Sequence, residues 1–162
     1  MEIRQATIND IDSILDIYEQ ARSFMPQQGN HKQWTNGYPD RTLVERDIQN
    51  ENCYICAEDG QIIGVFCYFK GPDPTYLRIY EGQWLNDNPY GVIHRIAVVN
   101  HRKGVANACY EFALSKCKTL RIDTHEDNIP MQRSLAKNGF QKCGIIYLSS
   151  GDPRIAFQKT IE

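Results

Sequence analysis

The stretch Val92–Leu114, VIHRIAVVNHRKGVANACYEFAL, carries the clearest chemical signal in the chain. An apolar run ends at Val99, the polar residues Asn100-His101-Arg102-Lys103-Gly104 follow, and Val105, Ala108, Cys109, Phe112 and Ala113 then recur at helical spacing. A strand feeding a helix through such a loop presents unpaired backbone N–H groups and the positive end of the helix dipole. That is a ready site for a phosphate. Gly104 omits a Cβ where a phosphate would approach the backbone, Ala106 keeps the next turn clear, and Arg102 and Lys103 add positive charge. The same window equally fits a solvated strand-to-helix loop with a convenient glycine. It lacks the second glycine and the Lys-Ser/Thr of a Walker loop, and it is not the G-x-G-x-x-G dinucleotide fingerprint.

Cys53-Tyr54-Ile55-Cys56 is formally a C-x-x-C. Redox or zinc chemistry would want the pair at a turn or a helix start, with further ligands for zinc. Here it lies in CYICA, a strand pattern, where a three-residue step sends the two thiols to opposite faces. The six cysteines all fall in apolar segments and read as reduced, buried small hydrophobes.

The elements that position these residues alternate along a chain of 162 residues, a length suited to one domain over 1–162. Glu2–Ala6 reads as a strand, and Asn9 or Asp10 caps a helix with the stripe Ile11, Ile14, Leu15, Tyr18. Phe24–Pro39 reads as irregular, and Asp40 caps a short helix through Ile48. Cys53–Ala57 and Ile62–Phe69 flank an Asp-Gly hairpin turn, and Gly71–Pro89 is a loop rich in Pro and Gly. Gly91–Val99 is apolar almost throughout and reads as a central strand, with His94 and Ile96 on one face by alternation. Thr119–Thr124 is a strand, Asp127 or Asn128 caps a helix that has Pro130 in its first turn and Gly139 at its end, and a last hairpin joins Phe140–Leu148 to Arg154–Lys159. The expected fold is a mixed α/β sheet with helices on both faces.

Composition narrows the function. Hydrophobic residues make up 41% and charged residues 23%, which excludes a disordered chain. Eighteen Lys and Arg against twenty Asp and Glu give a net charge of −2, with no global field for nucleic acid. No apolar run is long enough for a membrane span, and MEIRQATIND lacks the apolar core of a signal peptide, so a cytoplasmic protein is expected.

The segment His101-Arg102-Lys103-Gly104-Val105-Ala106 after a central strand resembles the R/Q-x-x-G-x-G/A motif of the GNAT superfamily of N-acetyltransferases. A second match follows in order: Asp123-Thr124-His125-Glu126-Asp127-Asn128, then Met131, Leu135 and Asn138-Gly139-Phe140. The resemblance spans essentially the whole chain. It implies a central, mostly antiparallel mixed sheet, acetyl-CoA as co-substrate, and no metal. It implies that the backbone of Ile96, Ala97 and Val98 pairs with the pantetheine arm, that His101, Arg102, Lys103, Gly104, Val105 and Ala106 hold the pyrophosphate, and that Asn128 contacts the pantetheine or thioester. Two positions depart from the family pattern: His101 stands where Arg or Gln is usual, and Leu135 stands where many members carry a tyrosine that protonates the leaving thiolate.

The reaction so implied is attack of a neutral amine on a thioester, driven by positioning with acid–base help. Tyr147, on the strand after Gly139-Phe140, is the first candidate to replace the missing tyrosine, followed by His125 at a strand end and Glu81 in the loop before the central strand. On the acceptor side stand Trp34 and Tyr38 in HKQWTNGYP, with His94 either there or in the core. Asp123 and Glu126 are available to neutralise a cationic amine. The acceptor is an amine of a small molecule or a peptide, and homodimers are common in the family. Two other classes compete: a non-catalytic module that senses acyl-CoA, and, more remotely, a thiol oxidoreductase built on Cys53 and Cys56.

Overall fold

The computed structural model describes residues 1–162. Strand β1 (Glu2–Gln5) leads into helix α1 (Ile11–Gln27), followed by α2 (Arg41–Gln49), β2 (Cys53–Glu58), β3 (Gln61–Lys70) and β4 (Gly91–Val98). Then come α3 (Val105–Lys116), β5 (Thr119–Thr124), α4 (Ile129–Lys137), β6 (Gln141–Tyr147) and β7 (Pro153–Thr160). The caps act as their side chains dictate. Asp40 accepts a hydrogen bond from the Leu43 N–H at 2.9 Å, and Asn128, rather than Asp127, accepts from the Met131 N–H at 3.1 Å. One boundary differs from the sequence expectation: α1 continues through Phe24 to Gln27, with Pro26 in its last turn.

The seven strands lie in the order β1-β2-β3-β4-β5-β7-β6, and every neighbouring pair is antiparallel except β4 and β5. That parallel pair is joined only at Gly91–Leu120 and Val92–Arg121. Beyond it, β4 stays with β3 as far as Val98 while β5 stays with β7 as far as Thr124. The sheet therefore splits, and each inner edge carries backbone N–H and C=O groups without a strand partner.

Helices cover both faces. On one, Val105, Cys109, Tyr110, Ala113 and Leu114 of α3 and Leu135 of α4 pack on Ile93, Ile122 and Phe157. On the other, Ile14, Ile17, Tyr18 and Val44 of α1 and α2 pack on Ile55, Val65 and Ala97. The segment 71–90 folds back over the β5–β7–β6 side of that second face, placing Tyr76 against Val92, Ile146 and Ala156. It is pinned by Arg121, whose guanidinium lies 4.2 Å from the Trp84 ring and 4.1 Å from the Tyr90 ring and donates to the Asn86 carbonyl at 2.8 Å.

A bulge interrupts β4. Val65 faces Ala97 and Cys67 faces His94, so β4 carries one extra residue there, and Arg95 adopts φ 51°. This overturns the simple alternation: His94 and Ala97 share a face, and Ile96 packs on the opposite side with the α3 cluster. Both preceding helices anchor the bulge. The Tyr18 hydroxyl donates to the Arg95 carbonyl at 2.7 Å, and Asp47 of α2 takes two hydrogen bonds from the Arg95 guanidinium at 2.8 and 2.9 Å. Removing one partner of so buried a pair strands the other charge. Asp47→Ala is therefore expected to lower stability by about 3 kcal/mol in urea unfolding.

Candidate active site

Two cavities open along the split. The smaller, about 490 Å³, lies on the side of the α1–α2 connection and is lined by residues that include Trp34, Tyr38, Asp73, His94, Asp123 and Arg154. The larger, a groove of about 1470 Å³, runs between α1 and the start of α4, past β4 and the loop into α3. Met25, Ile96, Asn128 and Met131 line both, so the two spaces meet at the diverging edge of β4.

The groove has the makings of a site for an elongated, phosphate-bearing molecule. Ile96, Ala97 and Val98 bring the unpaired edge of β4 to its wall, and His101, Arg102, Lys103, Gly104 and Ala106 line its end. Val105 does not line it: that side chain turns inward to the core. Gly104 has φ 84°, a conformation that a side chain would strain, and the space a Cβ there would enter is open. Helix α3 makes its first regular bond from the Ala108 N–H to the Gly104 carbonyl, which leaves the Ala106 and Asn107 N–H groups free at its positive end. Asn30 Oδ1, buried in the groove wall, also has no partner. Arg102 is less available than its sequence position implies, because its guanidinium pairs with Glu58 at 2.8 Å. The His101 ring packs on Phe24, with 4.1 Å between ring centres.

Asn128 stands at the junction with its side chain already engaged. Oδ1 caps α4, and Nδ2 donates to Gln33 Oε1 at 2.9 Å, tying the α1–α2 connection to the far wall of the cleft. Leu135 is fully buried in the core and cannot address the groove. Tyr110 and Ser134, whose hydroxyls lie 3.0 Å apart, line its α3–α4 wall, and burial pushes the Tyr110 group up to about 12.

The smaller cavity holds the titratable machinery. His94 Nε2 lies 2.7 Å from Asp73 Oδ2, and Nδ1 lies 3.9 Å from Asp123 Oδ2. Burial would raise the Asp73 carboxyl, but hydrogen bonds from His94 and Thr75 outweigh it and hold the group below its ordinary 3.8. An ionised Asp73 can only accept, so Nε2 carries a proton toward it, and in the neutral imidazole the lone pair then lies on Nδ1. Asp123 is fixed in turn by the Tyr76 hydroxyl, which donates to Oδ2 at 2.6 Å. Burial, reinforced by the Asp123 charge, holds that hydroxyl well above 10, so it stays protonated. Trp34 and Tyr38 line the same cavity, Trp34 edge-on to both Tyr18 and Tyr38.

Three of the expected proton carriers are placed elsewhere. Tyr147 lies on the outer strand β6, 44% exposed, against Tyr80, because β7 inserts between β5 and β6. Glu81 is exposed in the segment bridged to that same strand and lines neither cavity. His125 is buried, lines neither cavity, and uses Nδ1 to accept the Asp127 N–H at 3.0 Å. The sequence reading missed Asp73, Thr75, Tyr110, Ser134 and Arg154. Asp73 did carry a local signal, since Pro-Asp-Pro-Thr is a turn in which the carboxylate accepts from both the N–H and the hydroxyl of Thr75.

The family model for acetyltransferases (GNAT) matches residues 12–140. The chain belongs to the GNAT family. A GNAT acetyltransferase from Streptococcus agalactiae superposes with a TM-score of 0.90 at 36% identity, covering 99% of this chain and 95% of that one. One from Listeria monocytogenes gives 0.71 at 21% identity, covering 99% and 94%. A GNAT-like decarboxylase in complex with isobutyryl-CoA gives 0.67 at 15% identity and covers 100% of both chains. The last two likenesses show the GNAT fold alone. Among curated proteins none matches the chain.

The lowered Asp73 group sets an acid limit on stability. Protonation favours the unfolded chain, so its contribution is complete above the ordinary carboxylate value and is lost as pH falls through the lower folded one. Urea unfolding measured from pH 6 downward should lose stability below about pH 4, and Asp73→Asn should flatten that acid limb.

Proposed function

We propose that this GNAT protein transfers the acetyl group of acetyl-CoA to a primary amine of a small molecule or peptide. One observation carries the reading: the phosphate-ready groove and the His94 cavity meet at Ile96 and Asn128, where the sheet splits. Acetyl-CoA supplies the activated acyl carbon. The chain's part is to hold it, to receive the amine, and to move the protons.

The free N–H groups of Ala106 and Asn107, with Lys103 beside them, take the pyrophosphate. The unpaired edge of β4 from Ile96 to Val98 takes the pantetheine amides as an added strand would. That edge also places backbone N–H groups where negative charge grows on the carbonyl oxygen. In the other cavity, Asp73 and Asp123 draw in the ammonium form of the acceptor. His94 Nδ1 takes its proton, directly or through one water, and the two carboxylates stabilise the resulting imidazolium. Trp34 and Tyr38 wall the acceptor's remaining surface. The departing thiolate, with an ordinary thiol value of about 8.5, is a tolerable leaving group near neutral pH, and Tyr110 with Ser134 offers it a proton in place of Leu135.

A module that only senses acyl-CoA has no use for a second cavity built around a histidine held between two carboxylates. Thiol release from acetyl-CoA across a panel of amines separates the two readings. His94→Gln should lower kcat by roughly 10²-fold or more at neutral pH and leave acetyl-CoA affinity nearly unchanged. Saturable acetyl-CoA binding with no amine-dependent thiol release would assign the chain to the sensing class.

A further inference from the structure

We infer that the acceptor carries a carboxylate beside its amine, and that Arg154 is the residue that receives it. This rests on the transferase reading above and concerns the same cavity.

Three arginines are largely buried in this protein, and two are fully accounted for. Arg95 is neutralised by Asp47. Arg121 lies between the Trp84 and Tyr90 rings and donates to Gln158 and to the Asn86 carbonyl. Arg154 is as buried as these, at 6% exposure, yet its hydrogen bonding in the protein is a single bond of 2.9 Å to the adjacent Pro153 carbonyl. No carboxylate lies within ion-pair distance of it. Its side chain lines the His94 cavity. None of its side-chain nitrogens is both fully buried and unpartnered, so those without a protein partner open to the cavity, where an entering anion would meet them with no protein carboxylate to displace.

The sheet register sets where that anion would sit. Asp123 faces Ala156 across β5 and β7, and Arg154 lies two residues earlier on the same face of β7. Diagonal neighbours of this kind have side-chain origins about 7 Å apart. One end of the cavity, at His94 and Asp123, suits an ammonium, and the other, at Arg154, suits a carboxylate. That span fits an amino acid or a short relative of one. A single forked guanidinium matches a planar carboxylate, while Asp123 and Asp152 on the same walls would oppose a dianion such as phosphate. The other cations lining the cavity do not compete for the role: Arg95 is paired, and Lys32 is solvent-exposed.

The test compares proteinogenic amino acids, β-alanine and γ-aminobutyrate with their amides, measuring thiol release from acetyl-CoA by the wild type, Arg154→Met and Arg154→Lys. For the best acceptor, amidation should lower wild-type kcat/KM by at least ~10-fold. In Arg154→Met the acid and its amide should become equivalent, Arg154→Lys should recover part of the preference, and the KM for acetyl-CoA should stay within about twofold throughout. Equal use of acid and amide by the wild type would overturn the inference, as would a preference that survives in Arg154→Met. A thermal-shift titration of the same compounds without acetyl-CoA tells the two readings apart. An Arg154-dependent shift with no thiol release would uphold the carboxylate site and remove the transferase reading. Thiol release from simple amines with no such shift would do the reverse, and silence in both would remove both.

Discussion

The site depends on one constraint in the sheet: β4 and β5 are held together only at Gly91–Leu120 and Val92–Arg121. Had the ladder continued, Ile96 to Val98 would have spent their inner backbone groups on β5, and the space between the strands would be closed. The split is stable because each strand keeps a full antiparallel partner on its outer side, β3 for β4 and β7 for β5. The bulge at Arg95 then turns β4 so that His94 faces one cavity while Ile96 packs toward α3. A bulge with positive φ needs support. Tyr18 and Asp47 supply it from α1 and α2, so the N-terminal helices shape the site as well as the core.

Legibility in the sequence divides along the same line. Local signals were sufficient for the elements: Asp40 and Asn128 cap α2 and α4 where their side chains permit, the Asp-Gly turn makes its hairpin, and apolar spacing marks α1 and α3. The loop into α3 was legible for the same reason, since its chemistry is that of a helix start. What could not be read was set by pairing between distant segments. Tyr147 is a candidate because it lies on the strand after Gly139-Phe140, but that strand is β6 at the sheet edge, and β7 lies between it and β5. The extra residue in β4 reversed the relation between His94 and Ile96, and only the register against β3 reveals it. Asp73 meets His94 because the segment 71–90 folds back over the sheet, held by Arg121 between two aromatic rings.

Across the GNAT fold the frame is shared and the chemistry at its split is not. A GNAT-like decarboxylase solved with isobutyryl-CoA has this architecture, so fold alone does not choose a reaction. In this chain the smaller cavity brings together a histidine hydrogen-bonded to an aspartate, a second aspartate fixed by a buried tyrosine, and an arginine without a carboxylate partner. On the other side, with Leu135 buried, the α3–α4 wall of the groove carries the hydrogen-bonded hydroxyls of Tyr110 and Ser134.

The central claim is that the unpaired edge of β4 and the first turn of α3 bind acetyl-CoA together. Amide hydrogen exchange, resolved by residue and measured with and without saturating acetyl-CoA, tests it most directly. The account predicts slowed exchange concentrated at Ile96–Val98 and at Ala106–Asn107, with β1, β2 and β6 unaffected. Slowing confined to other elements, or no change at these amides with the ligand demonstrably bound, would contradict it.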